Sequence, residues 1–177
     1  ADNPIDRLIR MLGAITATPL DDGTEHFQAS SVAVSTIDVG NPATNVIPAV
    51  AKATFNIRFN DLHTQASLGE KLRGLFDAVG GEYEFRQQEN GEAFLCPPAH
   101  LAHIVADAVK DVTGITPDMS TTGGTSDARY IHHACTCAEF GLVGASMHKA
   151  DEQQPVKDIE ALADIYHRVL DSYFAKS

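Results

Sequence analysis

Residues 51–60 alternate without a break: Ala51, Ala53, Phe55, Ile57 and Phe59 are apolar, and Lys52, Thr54, Asn56, Arg58 and Asn60 are polar. Successive strand side chains point to opposite faces, so this period of two fixes one dry and one wet face. Such a strand belongs to a sheet covered on one side, which suits antiparallel pairing under helices. Its neighbours supply those parts. Residues 29–39 are rich in Val, Ser, Thr and Ile and read as a strand ended by Gly40-Asn41-Pro42. Before them, Asn3 is placed to cap a helix, with Pro4 in its first turn, Asp6 near its positive end, and Ile5, Leu8, Ile9, Leu12 and Ile15 on one face. After them, Thr64 is placed to cap a second helix with the stripe Leu68, Leu72, Leu75, Phe76 and Val79, stopped by Gly80-Gly81. Residues 82–88 alternate again through Tyr83 and Phe85. The order helix, strand, strand, helix, strand matches a split βαβ unit without its first strand. That strand is expected before residue 1, and a helix starting beside Ala1 rather than a methionine reads as a chain cut from something longer.

Beyond the polar residues 87–92 the pattern changes, and a boundary near residue 92 divides the chain into 1–92 and 93–177. Pro97-Pro98 precede a helix over about 99–113, with Leu101, Ile104, Val105, Ala108 and Val112 inward and Gly114 closing it. A short strand at 117–120, a glycine-rich turn, a short helix and an apolar strand at 135–143 follow. A last helix over about 156–174 has the face Ile159, Leu162, Ala163, Tyr166, Val169 and Leu170, with Glu160, Asp164 and Arg168 outside. Strands between helices predict an α/β layer for this half, so the whole chain is expected to be α+β followed by α/β.

A formal net charge of -11 opposes a nucleic-acid or anionic-membrane partner, because binding phosphates takes an excess of Lys and Arg. No apolar run approaches the roughly 20 residues that span a bilayer, and the cytoplasm is the expected compartment. Cys96, Cys135 and Cys137 are an odd set without framework spacing. The Cys135-x-Cys137 pair beside His132 and His133 is a weak zinc signal, and reduced, buried thiols are the expectation.

Chemistry concentrates in residues 121–152. Gly123-Gly124-Thr125-Ser126-Asp127 describes either a substrate cradle at a helix N-terminus or a tight turn with Ser126 or Asp127 as the cap. No lysine follows the glycines, which disfavours a nucleotide phosphate loop. His148, near Asp151 and Glu152, is either a metal ligand or a solvated loop histidine. Arg58 on the polar strand face suits a carboxylate, and Asn45 suits a two-way hydrogen bond, although a solvated face and a turn explain both. His26, His63, His100 and His103 read as surface residues.

Residues 43–48 (Ala-Thr-Asn-Val-Ile-Pro), 55–59 (Phe-Asn-Ile-Arg-Phe), 122–127 (Thr-Gly-Gly-Thr-Ser-Asp) and 147–149 (Met-His-Lys), in this order, resemble the M20 family of metal-dependent amidohydrolases and peptidases, particularly its desuccinylase branch. The resemblance implies a catalytic α/β domain interrupted by a ferredoxin-like lid that forms a homodimer. Residues 1–92 would be the lid without its first strand, and 93–177 the last section of the catalytic domain. It further implies two zinc ions per active site, with His148 the one ligand in this chain. Gly124 and Thr125 would contact the substrate, Arg58 would grip its carboxylate, and Asn45 would reach the partner subunit's site. The glutamate base and remaining ligands would precede the lid, so no catalytic residue is expected here and the chain alone is expected to be inactive. Gly144 stands where the family carries an asparagine. The implied reaction is hydrolysis of the small molecule N-succinyl-LL-2,6-diaminopimelate to succinate and LL-diaminopimelate, by a water that a glutamate deprotonates. Another M20 activity, such as acetylornithine deacetylase or aminoacylase, and a non-catalytic dimerisation module are the alternatives. Open strand edges also predict self-association by sheet pairing.

Overall fold

The computed structural model describes residues 2–88, 90–123 and 126–175, as two compact units, Ala1–Phe94 and Leu95–Ser177. In the first, Asn3 caps α1 (Pro4–Ala17), its side chain accepting from the Ile5 amide at 3.1 Å. Strands β1 (Ser31–Asp38) and β2 (Lys52–Arg58) pair antiparallel, from Asp38 opposite Lys52 to Ser31 opposite Arg58, with an irregularity between Val34 and Thr36. Thr64 and Ser67 form a capping box at the start of α2 (Gln65–Val79), and Gly80 closes it at a φ of 80°, which costs glycine little. The alternation of β2 survives intact: Ala53, Phe55 and Ile57 turn inward and Lys52, Thr54, Asn56 and Arg58 stay exposed.

Both helices cover the same face of this hairpin. Met11, Leu12, Ile15, Leu72 and Phe76 form the buried cluster, flanked by Val32, Val34, Phe55, Tyr83 and Phe85. The Phe76 ring meets Phe55, Tyr83 and Phe85 edge-on, with centroids 6.4, 5.6 and 5.5 Å away. Ile9, expected inward, is 60% exposed, and Met11 takes the buried place. The third expected strand is not one. Residues 82–86 keep the alternating burial through Tyr83 and Phe85, Gln87 is exposed, and Phe85 stacks on Phe55 at 6.3 Å, but no ladder joins the segment to the sheet among the described residues. Side-chain periodicity is a property of the segment, whereas a strand also needs a backbone partner at ladder distance.

The second unit is helical: α3 (His100–Thr113), the short α4 (Ala128–Ile131) and α5 (Val156–Phe174). Gly114 ends α3 in the left-handed region, its amide donating to the Lys110 carbonyl at 2.8 Å. Neither expected strand, 117–120 or 135–143, forms, and no strand occurs among the described residues of this unit. The α/β expectation for this half is therefore corrected to helices and loops, and the described chain is α+β with one two-stranded sheet. Ala108, Val109 and Ile165 form the core, with Val105, Val112, Phe140 and Val169 around them. Tyr166 donates its hydroxyl to the Phe140 carbonyl at 2.7 Å, fixing the 135–143 segment by one side chain instead of a ladder. The forecast face of α5 is only partly used: Val169 packs inward, while Ile159, Tyr166 and Leu170 are 49, 44 and 55% exposed. Arg168 pairs with Asp111 of α3 at 3.5 Å rather than with Asp164 on its own helix.

Candidate functional site

His148 lies in a loop that is bent by force of backbone. Its φ is 61° and that of Asp151 is 59°, left-handed values that cost a non-glycine residue about 1 kcal/mol each. What holds them there is local. The Ser146 hydroxyl accepts from the Gln153 amide at 3.0 Å and donates to the Gln153 carbonyl at 2.8 Å, closing the loop like a staple. The Met147 amide donates to the Gly144 carbonyl and the Lys149 amide to the Ser146 carbonyl, both at 3.1 Å. The Lys149 ammonium donates to the Ala145 carbonyl at 2.8 Å. His148 emerges exposed, with no hydrogen-bond or ionic partner among the described residues, and neither Asp151 nor Glu152 bonds its ring. Backbone strain of this kind clusters at active sites and ligand clamps. Gly144 is not in the left-handed region, and a Cβ there would meet only the side chain of Met147, its terminal carbon at 2.7 Å. The backbone does not demand glycine at that position.

In the glycine-rich turn, Gly124 and Thr125 lie outside the described residues. Ser126 does the capping: its hydroxyl accepts from the Ala128 amide at 3.1 Å and donates to the Glu139 carboxylate, whereas the Asp127 side chain makes no cap bond. A single Ser thus ties the start of α4 to the later segment. The Ser120 and Thr122 hydroxyls pair at 2.9 Å.

The hairpin of the first unit carries Asn45 and Arg58, and separates them. Asn45 is exposed in the loop between the strands, beyond the Asp38 to Lys52 end of the ladder. Asn41 organises that loop, its amide donating to the Val46 carbonyl at 2.7 Å and its carbonyl oxygen accepting from the Ala43 amide at 3.2 Å. Arg58 is exposed at the opposite end, across from Ser31, and forms no ion pair among the described residues. At about 3.3 Å per residue the ladder puts roughly 20 Å between these ends.

One cluster escaped the sequence. Asp21, with its side chain 6% exposed, accepts from the Gly23 amide at 2.8 Å, the Ser30 amide at 3.1 Å, the Asn60 side chain at 2.6 Å and His63 Nε2 at 3.1 Å. Burial opposes its ionisation, but the bonds from Ser30, Asn60 and Gly23 outweigh it and hold the carboxyl well below the usual carboxylate range. His63, expected on the surface, is instead 14% exposed at this carboxylate. The only hint was the Asn60 polarity at the end of the alternating run, which reads equally as a wet strand position.

The residues present do not compose a zinc centre. Among the described residues no group of three or more His, Cys, Asp or Glu side chains is placed to hold a metal ion, and no helix is long and apolar enough to cross a membrane. A zinc site takes three or four protein ligands, and His148 offers one.

Residues 9–172 match the family model described as Peptidase family M20/M25/M40. The chain is 55% identical to the succinyl-diaminopimelate desuccinylase of Parvibaculum lavamentivorans, over 99% of this chain and 45% of the relative. It is 55% identical to the enzyme of that name from Rhodospirillum centenum, over 99% and 45%. With the one from Methylobacterium radiotolerans it shares 53% identity over 100% and 46%. The chain thus spans a little under half the length of these curated relatives.

Proposed function

The chain belongs to peptidase family M20/M25/M40, and on that premise we propose that it is the lid and C-terminal section of a zinc-dependent amide hydrolase acting on N-succinyl-LL-2,6-diaminopimelate. The carrying observation is the 55% identity with proteins named for that activity across essentially the whole chain. The strained loop around His148 supports its role as the metal ligand contributed from this part of the protein, since its imidazole stands exposed and unpaired among the described residues. His148 alone does not hold a metal, and the remaining ligands would come from outside this chain.

The first unit would be the ferredoxin-like lid. Tyr83 and Phe85 support this: they line the same core as β2 from a segment whose burial alternates over 82–86, yet no ladder joins it to the sheet among the described residues, as for an outer strand whose neighbour is supplied by other chain. The separation of Asn45 from Arg58 supports giving them to different sites of a homodimer, Arg58 gripping a substrate carboxylate in one and Asn45 reaching the other. Bidentate geometry suits the guanidinium to that task. In the second unit Gly124 and Thr125 would contact the substrate beside Ser126, whose bond to Glu139 braces the turn. The exposed apolar residues of α5, Val156, Ile159 and Leu170 at 69, 49 and 55%, support a further layer of a catalytic domain packing there.

A segment exchange tests this. The matching part of the Parvibaculum lavamentivorans desuccinylase is replaced by this chain, and succinate release is followed with zinc supplied. Release that disappears with His148→Ala is expected, as is none from the 177-residue chain alone. A folded, dimeric exchange protein that cleaves acetylated but not succinylated substrates would refute the substrate assignment.

A further inference from the structure

The three cysteines come from two distant stretches and meet in one place in the second unit. A cleft of about 380 Å³ is lined by Cys96, Pro97, Pro98, His132, Cys135 and Thr136 among others. Cys137 Sγ donates to the Cys135 carbonyl at 3.5 Å and is within hydrogen-bonding reach of the Cys96 and Cys135 thiols. These are not the buried, inert thiols expected of a strand: Cys135 is exposed, and Cys96 and Cys137 are half-exposed. Pro97 biases the backbone of Cys96 to extended conformations. A metal is not the occupant this arrangement suits, since no group of three donors among the described residues is placed to hold one.

We propose that Cys96 and Cys137 form a reversible oxidation site that closes to a disulfide when the chain meets a peroxide. The cleft admits the oxidant to Cys96. Its sulfur attacks one peroxide oxygen, the O–O bond breaks, the thiol proton leaves with the other oxygen as water, and Cys96 becomes a sulfenic acid. Cys137 then displaces that hydroxyl: the S–S bond forms, the S–O bond breaks, and the second thiol proton leaves with the hydroxyl as water. Two thiols lose two electrons and one peroxide becomes two waters. Burial first, and then the neighbouring Cys135 and Cys96, push the Cys137 thiol up, which lowers its thiolate fraction and disfavours it as the first sulfur to meet the oxidant. A small thiol reductant reopens the bridge by exchange. Closed, it ties the stretch before α3 to the segment after α4.

Peptide mapping of the intact 177-residue chain after limited hydrogen peroxide tests it. Trypsin cuts after Arg86, Lys110, Arg129 and Lys149, so Cys96 falls in one peptide and Cys135 and Cys137 in another. The expected result is a linked pair of these peptides, two hydrogens lighter than their sum, in a monomer on a non-reducing gel. Free thiols fall from the three of the sequence to one. Cys96→Ser and Cys137→Ser abolish the link, Cys135→Ser keeps it, and a small thiol reverses it. A bond confined to Cys135 and Cys137, a bond only between copies, or thiol loss to higher oxides without a link overturns the proposal. The mapping of the unsubstituted chain decides even if a variant fails to fold.

Discussion

Replacing Asp21 by alanine removes the acceptor that joins two loops of the first unit. The donors left behind are the Gly23 and Ser30 amides, one hydrogen of the Asn60 amide, and His63. Asn60 is 2% exposed and its side-chain amide nitrogen retains the Gln28 carbonyl at 3.0 Å, so that nitrogen loses one of its two acceptors. Hydrogen bonds to a charged group contribute about 1.5 to 3 kcal/mol each, and stripping one member from a buried charged network costs about 3 to 5 kcal/mol. Gly23 and Ser30 are half-exposed, so water replaces part of the loss and the low end applies, about 3 kcal/mol. A domain holds only about 5 to 15 kcal/mol in all. With a slope near 1 to 1.5 kcal/mol per molar urea, the unfolding midpoint of the first unit should fall by roughly 2 to 3 M. Asp22→Ala, next door and exposed, should shift stability by no more than about 0.5 kcal/mol. The pH dependence has a definite sign. Because the folded carboxyl lies below its unfolded value, its contribution is complete above about pH 5 and is lost as pH falls below about 4. Urea titrations at several pH values should show the normal chain losing its advantage over Asp21→Ala on acidification. A loss under about 1 kcal/mol at neutral pH, or a difference that grows toward acid, would sink the account.

Other perturbations probe the remaining pieces. Phe76→Ala, at the centre of three ring contacts and 5% exposed, should cost about 3 to 5 kcal/mol in thermal or urea unfolding of the first unit. His148→Gly should leave the second unit equally stable or more stable by about 1 kcal/mol, through relief of the φ of 61°, while abolishing metal-dependent activity in the segment exchange. A destabilised glycine variant would contradict the strain argument. Ser146→Ala should speed amide hydrogen exchange in residues 144–153 by about tenfold, with little change in global unfolding, because the staple is local. Gly144→Asn should be tolerated within about 1 kcal/mol, since Met147 is flexible and the backbone is ordinary there. Loss of folding on its introduction would show that Gly144 is structural.

Local chemistry was legible in the sequence to the residue. The Asn3 and Thr64 caps, the Gly80 and Gly114 stops and the inward set of β2 all depend on neighbours a few positions away. The family resemblance likewise rested on short strings. What escaped depended on distant partners. Asp21 and His63 are far apart in the chain, and neither position signals the other. Arg168 is four residues from Asp164, the spacing of a helix pair, yet it turns to Asp111. The cleft cysteines look unrelated until the segments before α3 and after α4 are brought together.

By itself, then, the sequence determined where helices start and stop, which face of residues 51–60 is dry, and which family the chain resembles. The first two follow from backbone sterics, capping and periodicity, all short-range, and the resemblance from four short strings. Only the tertiary structure decided that residues 82–88 and 135–143 are not strands, that Ile9 faces water while Met11 is buried, and that His148 sits in a stapled, left-handed loop. A strand exists only where another backbone satisfies its amides and carbonyls, and an apolar face is buried only where another element covers it.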